Sequence, residues 1–321
     1  MIDGDVFGSS VIPIPDSSGV VYSADQDIDE KQELFVVRFM SPGSSQKLNP
    51  PLANDRAVFG PHVLPDSTGV VYLANETSTS FELYRVLFSA PGSSTKLNGS
   101  FARSFTSLVS PAIMPDGTGV VFLGPGDPGP GQELYRVALA NPGVNIKLNG
   151  TLATGLTSIN RYLLLPDSSG LVYFADQDTD DVFELYRANF ATPGTSVKVS
   201  GPPLGELRFS PLFTVAPDSQ SVVCAVYLGS LQAELRHVNL ATPGVTTLLQ
   251  GPPLTFAFGP SGGVAMAEMA VTPDSKGLLY VGHETAGVDE LFQVNFASPA
   301  TAAKQNGPLV TNGDVKNFAA R

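Results

Sequence analysis

Apolar residues along this chain gather into short runs, each closed off by Pro, Gly, Asp or Ser. Gly69-Val70-Val71-Tyr72, Tyr162-Leu163-Leu164-Leu165 and Glu82-Leu83-Tyr84-Arg85-Val86-Leu87-Phe88 are representative. Their β-branched and aromatic content predicts strands rather than helices. The runs recur in a fixed order. A variable apolar run precedes a Pro-Asp pair, and a Gly-Val-Val-Tyr run follows it. A Glu-Leu-Tyr-Arg run comes next, and a short run such as Thr95-Lys96-Leu97-Asn98 ends the unit. Each unit therefore reads as four strands.

The aspartates of the Pro-Asp pairs are Asp16, Asp66, Asp116, Asp167, Asp218 and Asp274, at spacings of 50, 50, 51, 51 and 56. Repetition at such a period is the mark of a repeat architecture. The six units fall at approximately 5–51, 52–99, 100–150, 151–201, 202–251 and 252–307, with a surplus strand at 308–321. Turn chemistry agrees. Between the first two strands lies Pro-Asp-Ser-Ser/Thr-Gly, where Asp can bond the backbone two residues on and Gly is expected to take positive φ. Between the last two lies Pro-Gly: Pro42-Gly43, Pro91-Gly92, Pro142-Gly143, Pro193-Gly194 and Pro243-Gly244. That pair suits the central positions of a type II turn. Unit five departs with Ser221 in place of the first Gly, and unit six with Pro299-Ala300. Four-stranded units repeated radially make a propeller. The expected fold is all-β, a single six-bladed β-propeller domain over residues 1–321 with four antiparallel strands per blade. A linear solenoid is the rival arrangement of such units.

Composition narrows the partners. The net charge is −12, and charged residues make up only 15% of the chain. A phosphate backbone or an anionic membrane surface needs Lys and Arg to displace counterions, so neither nucleic acid nor such a surface fits. Divalent cations or basic partners fit better. No apolar run reaches the roughly 18 residues of a membrane span. Cys224 is the one cysteine, which excludes an intrachain disulfide. Met1-Ile2-Asp3-Gly4-Asp5 has neither a basic nor an apolar leader region, so a signal peptide is expected to be either absent or already removed.

The Pro-Asp-Ser-x-Gly-Val-Val-Tyr run, the acidic loop after it and the Glu-Leu-Tyr run resemble the six-bladed propeller repeats of TolB-type proteins across all six units. The resemblance implies a periplasmic or extracellular binding scaffold. The absence of Trp separates the chain from the Trp-Asp and kelch classes of propeller.

Two loops carry alternate carboxylates between the second and third strands: Asp25, Asp27 and Asp29 in unit one, and Asp176, Asp178 and Asp180 in unit four. Carboxylates at positions 1, 3 and 5 of a tight loop can converge on calcium. Glu33 and Glu184 fall at position 9, but the same Glu recurs as Glu82, Glu133, Glu234 and Glu290, which makes it a strand feature. Glu30 and Asp181 stand where a calcium loop usually has Gly. A solvated hairpin tip is the alternative reading. No other cofactor is implied. His62, His237 and His283 share no metal-ligand spacing. Cys224 aligns with Tyr72 and Tyr173 and is expected in the core. Arg85, Arg136 and Arg187 repeat at one place in the third strand, where pairing with the glutamates is expected. His62, Arg103, Arg161 and Arg208 lie in or near first-strand segments and are the candidates for a channel mouth.

These features predict a non-catalytic binding or structural module of the cell envelope or extracellular space. A carbohydrate-active lyase or hydrolase, or a lectin, using the channel mouth is the alternative. Both termini carry a Gly-Asp-Val start, at Gly4 and at Gly313, and each precedes an apolar run. Both can compete for the first-strand position of blade one, so the surplus strand can add to a sheet edge of another copy and drive self-association. The alternative is that the surplus segment is disordered or that the chain is a cut from a longer array. The partner is thus a protein or a second copy of this chain.

Overall fold

The computed structural model describes residues 11–53, 55–103, 105–126, 131–153, 159–201, 212–227, 232–249, 254–255, 269–282, 288–310 and 315. Among these there is no helix, and the strands form six antiparallel sheets, each with its four strands in sequence order. Blade one comprises Ile12–Pro13, Gly19–Ala24, Glu33–Arg38 and Ser45–Lys47. Blade four comprises Ile159–Leu164, Gly170–Ala175, Glu184–Asn189 and Ser196–Lys198. In the fifth sheet, Leu254–Thr255 adds a further short pairing to the third strand. The chain divides into two compact units, Met1–Asn149 with blades one to three and Gly150–Arg321 with blades four to six.

Strand pairing places aromatic residues of the second and third strands opposite one another, so their rings stack. Tyr72 faces Tyr84 with centroids 6.1 Å apart, and Tyr173 faces Tyr186 at 5.5 Å. Tyr22–Phe35, Phe122–Tyr135 and Tyr280–Phe292 repeat the arrangement. The second strands are buried on both faces, as in Gly69–Ala74. Neighbouring blades within a unit share apolar clusters. Val21, Leu34 and Val36 of blade one pack with Val70, Tyr72 and Val86 of blade two. Val172 and Phe174 of blade four pack with Phe213, Val222 and Val238 of blade five. Each such side chain contributes roughly 1.5–3 kcal/mol on burial, so the faces between blades hold the fold together.

The turns correct one expectation. The residue with positive φ after Pro-Asp is not the Gly but the Ser following Asp: Ser17, Ser67, Ser168, Ser219 and Ser275 lie at φ 58 to 62°. In blade three that place is taken by Gly117 at 71°. The aspartate carboxylate makes the left-handed Ser tolerable by accepting the N–H two residues on, as from Ser18, Thr68 and Ser169 at 2.9–3.0 Å. The later Gly serves close approach. A Cβ on Gly119 or Gly277 would lie 2.7 Å from a third-strand carbonyl. The Pro-Gly glycines do take positive φ, from 77 to 88°, and Ala300 adopts the same region in blade six.

Candidate functional site

The most regular polar feature is a buried network at the start of each third strand. Glu33, Glu82, Glu133 and Glu184 are buried and meet a lysine from the fourth strand of their own blade: Lys47, Lys96, Lys147 and Lys198. Glu290 pairs with Lys304 in the same way. Two residues beyond each lysine, an Asn side chain accepts the N–H of the strand Leu. Asn49 serves Leu34 at 2.7 Å, and Asn98, Asn149 and Asn306 serve Leu83, Leu134 and Leu291 at 2.8 Å. Blade four substitutes Ser200, whose Oγ takes the Leu185 N–H at 3.2 Å. Asn49 and Asn98 also approach Glu33 and Glu82 at 3.4 and 3.5 Å, whereas Glu184 Oε1 is buried with no hydrogen-bond partner among the described residues. The glutamates therefore pair with lysine, where pairing with the arginine row was expected. Arg85 instead donates to the Leu139 carbonyl, and Arg187 to Ser169 Oγ. In blade five, which has Leu248 at the lysine place, Glu234 pairs with Arg236 at 2.7 Å. Sequence reasoning missed the lysines, although the signal was present: Glu and Lys are 14 residues apart in all five pairs.

A second pattern is a clamp between the second strand and the fourth. Tyr22 Oη donates to Gln26, which donates to Ser45 Oγ, both at 2.8 Å. In blade four Tyr173 donates to Gln177, which also accepts Ser196 Oγ at 3.1 Å. Blade two places Glu76 at the centre, accepting Tyr72 Oη at 2.6 Å and Ser94 Oγ at 2.5 Å. Burial holds the Glu76 carboxyl above its ordinary pKa. Blade three has none of the three partners. Phe122, Gly126 and Asn145 stand in their places.

The acidic loops take up these surroundings. Asp27 pairs with Lys47 at 2.7 Å and Asp178 with Lys198 at 3.6 Å, so each lysine bridges its loop and its buried glutamate. Asp25 and Asp176 are buried and accept the N–H of Glu30 and Asp181 at 3.3 and 3.4 Å. Glu30 and Asp181 have φ of 60 and 61°, the conformation for which calcium loops use Gly. Asp29 and Asp180 are exposed. Among the described residues, no three His, Cys, Asp or Glu side chains gather as a metal site.

The channel-mouth candidates have separate settings. His62 is half-buried in the first strand of blade two, and burial holds its pKa down. Arg161, half-buried in blade four, lies 5.3 Å from the Phe213 ring centroid. Arg208, like His283, lies outside the described residues. Arg103 is exposed and borders a cleft of about 190 Å3 in blade three, together with Phe101, Gly126, Tyr135 and Asn145. Cys224 is buried as expected, and desolvation pushes its thiol up to about 12, far from a reactive thiolate. His237 stacks on Phe296 at 4.2 Å.

No family model matches the chain, and no curated protein matches it. Solved structures do. An eukaryotic initiation factor aligns with TM-score 0.57 at 12% identity, over 94% of this chain and 66% of that one. A Mycobacterium tuberculosis puromycin-hydrolyzing peptidase aligns with TM-score 0.52 at 14% identity, over 92% of this chain. This chain spans only 44% of that peptidase. A putative TolB from Agrobacterium tumefaciens aligns with TM-score 0.45 at 14% identity, over 81% of this chain and 83% of that one. At such identities the first two alignments speak for fold alone. With six sheets of four antiparallel strands, the chain has the fold class that the repeat predicts, a six-bladed β-propeller. No helix among the described residues is long and apolar enough to cross a membrane.

Proposed function

We propose that this protein is a non-catalytic binding or structural module of the cell envelope or extracellular space. The observation that carries the reading is the fate of the repeated charges. In five of the six blades the third-strand glutamate and the fourth-strand lysine neutralise one another inside the blade. Among the described residues, the thiol and two imidazoles point the same way. The Cys224 thiol is buried with a raised pKa, and burial moves the pKa of His62 and His237 down, away from neutral pH. A general base requires a reachable group poised near the working pH. What remains outward is the set of loops and connectors in which the blades differ, and there recognition belongs. Incubation with neutral and acidic oligosaccharides is expected to give no product. Turnover that disappears in Arg161→Ala would replace this reading with a carbohydrate-active enzyme.

Self-association through the terminal strands is the structural side of the proposal. Ile12–Pro13 pairs with Val20 and Val21 over only two residues, and Val310 is 81% exposed. A short first strand and an exposed apolar residue within the surplus segment favour pairing between copies. Light scattering of the full chain and of a chain lacking 308–321 tests this. Equal monomeric masses and equal stability for both would exclude it.

A further inference from the structure

Blade three breaks the repeat at several linked positions, and the breaks together open a cleft. The clamp tyrosine is Phe122, which has no hydroxyl. The clamp amide is Gly126, which has no side chain. The clamp serine is Asn145, which turns to the preceding connector instead: it accepts the Gly99 N–H at 2.8 Å and donates to the Gly99 carbonyl at 3.2 Å. In blade four Ser196 and Gln177 both stand against the connector, 2.7 and 3.3 Å from where a Cβ on Gly150 would lie; in blade three Gly143 and Asn145 crowd the matching Gly99, and the side chain missing is that of Gln177, at Gly126. Among the described residues, Gly126 and Asn145 of blade three and Ser100 to Arg103 of the connector line a cleft of about 190 Å3.

The wall of this cleft is also particular to the blade. Phe101 occupies the place of Leu52 and Leu152, and Gly124 the place of Ala74 and Ala175. A Cβ on Gly124 would lie 3.0 Å from the Phe101 ring and 3.1 Å from the Tyr135 ring, so the larger ring is accommodated by the lost methyl. Phe101 meets Tyr135 edge-on at 5.2 Å and Phe105 at 5.3 Å, which fixes its orientation. The Tyr135 hydroxyl is held away by the Pro125 carbonyl at 2.9 Å, leaving the rings as apolar wall. At the rim stands Arg103, exposed, with no hydrogen bond or ion pair to any described residue.

We infer that the third-blade cleft binds a small organic carboxylate, with Arg103 taking the carboxylate and the Phe101–Tyr135 wall taking the body of the ligand. A guanidinium presents a planar fork that matches a carboxylate, and aromatic edges favour a flat or ring-shaped body. The volume suits a single six-membered ring. The shared chemistry is a ring carboxylate, and the ring is either aromatic or a sugar acid. This inference rests on the reading of the chain as a binding module.

The test uses the full chain with benzoate and glucuronate as probes and benzamide and glucose as neutral controls, followed by saturation-transfer NMR at millimolar concentrations. One or both acids are expected to bind and their neutral counterparts to bind at least about tenfold more weakly, the loss of one charge-assisted contact. Which acid binds names the ring. Arg103→Gln should weaken the acid by a similar factor. The combined variant F122Y/G126Q/N145S, which restores the clamp, should abolish binding while Arg103 remains. Absence of binding by either acid, equal binding of acid and neutral control, or undiminished binding in Arg103→Gln or in the clamp variant would overturn the inference. Conversion of a probe to product in the same samples would instead overturn the binding-module reading, so the two failures are told apart.

Discussion

Blades three and four have the same strands and nearly the same repeat, yet one is open where the other is shut. Blade four closes with Tyr173, Gln177 and Ser196 joined by hydrogen bonds. Blade three keeps the stacked ring pair, Phe122 on Tyr135 at 6.0 Å, but has lost the hydroxyl, the amide and the serine. The opposite holds one layer deeper. Blade three has the full Glu133–Lys147–Asn149 network, while blade four has Ser200 and an unpaired Glu184 Oε1. The repeat therefore tolerates divergence wherever the strand pairing and the stacked rings survive. The polar groups at the blade's edge are where individual blades acquire character.

The deepest layer should respond most. Lys147→Ala leaves the buried Glu133 without its cation and is expected to cost about 2–3 kcal/mol, below the full cost of breaking a buried pair because Lys147 is partly exposed. Urea unfolding at neutral pH measures this, and a cost comparable to that of an exposed ion pair would show that the network is not structural. Next comes the aromatic wall. Gly124→Ala pushes a methyl into Phe101 and should cost roughly 1–2 kcal/mol. Phe101→Leu, the residue type of the connectors at Leu52 and Leu152, should recover most of that loss in the double variant. Additive costs would mean that the two positions are not coupled.

Ser200→Asn transfers the missing amide into blade four and should stabilise it by about 1 kcal/mol by pairing Glu184 Oε1. The same measurement reads it, and a loss of stability would mean that a buried water already serves that oxygen. A smaller, pH-dependent effect is expected at Glu76, whose folded pKa is raised above 4.5 by burial. A raised carboxyl pKa favours the protonated native state, so its contribution is fully present below the unfolded pKa and lost as pH rises through the folded one. Glu76→Gln, which reproduces the amide of blades one and four, should match wild type in acid and exceed it at neutral pH. Parallel stability curves would contradict this. Calcium should act least. Lys47 and Lys198 already offer a cation to Asp27 and Asp178, so millimolar calcium is expected to raise Tm by about a degree or less. A rise of several degrees that is lost in Asp27→Asn would instead place calcium in these loops.

What the sequence determined by itself is the architecture. The Pro-Asp turn, the Pro-Gly turn and the strand runs are each specified within a few residues, and six copies of one period leave little else for the chain to build. Even the aspartate's bond to the N–H two residues on is local and was legible. Which residue of that turn carries positive φ was not, because the answer lies in the third strand, whose carbonyl leaves no room for a Cβ at the Gly. Partners across a blade were legible only as an unremarked spacing of 14 residues, since Glu could equally have met the arginines of its own strand. The open cleft of blade three was decided by tertiary structure alone. Phe122, Gly124, Gly126 and Asn145 are each an ordinary substitution in their own strand or loop, and Phe101 comes from a connector outside it. Only packing brings the lost hydroxyl, the lost side chain and the enlarged ring to one point, and a volume that no described group fills cannot be read from the residues one at a time.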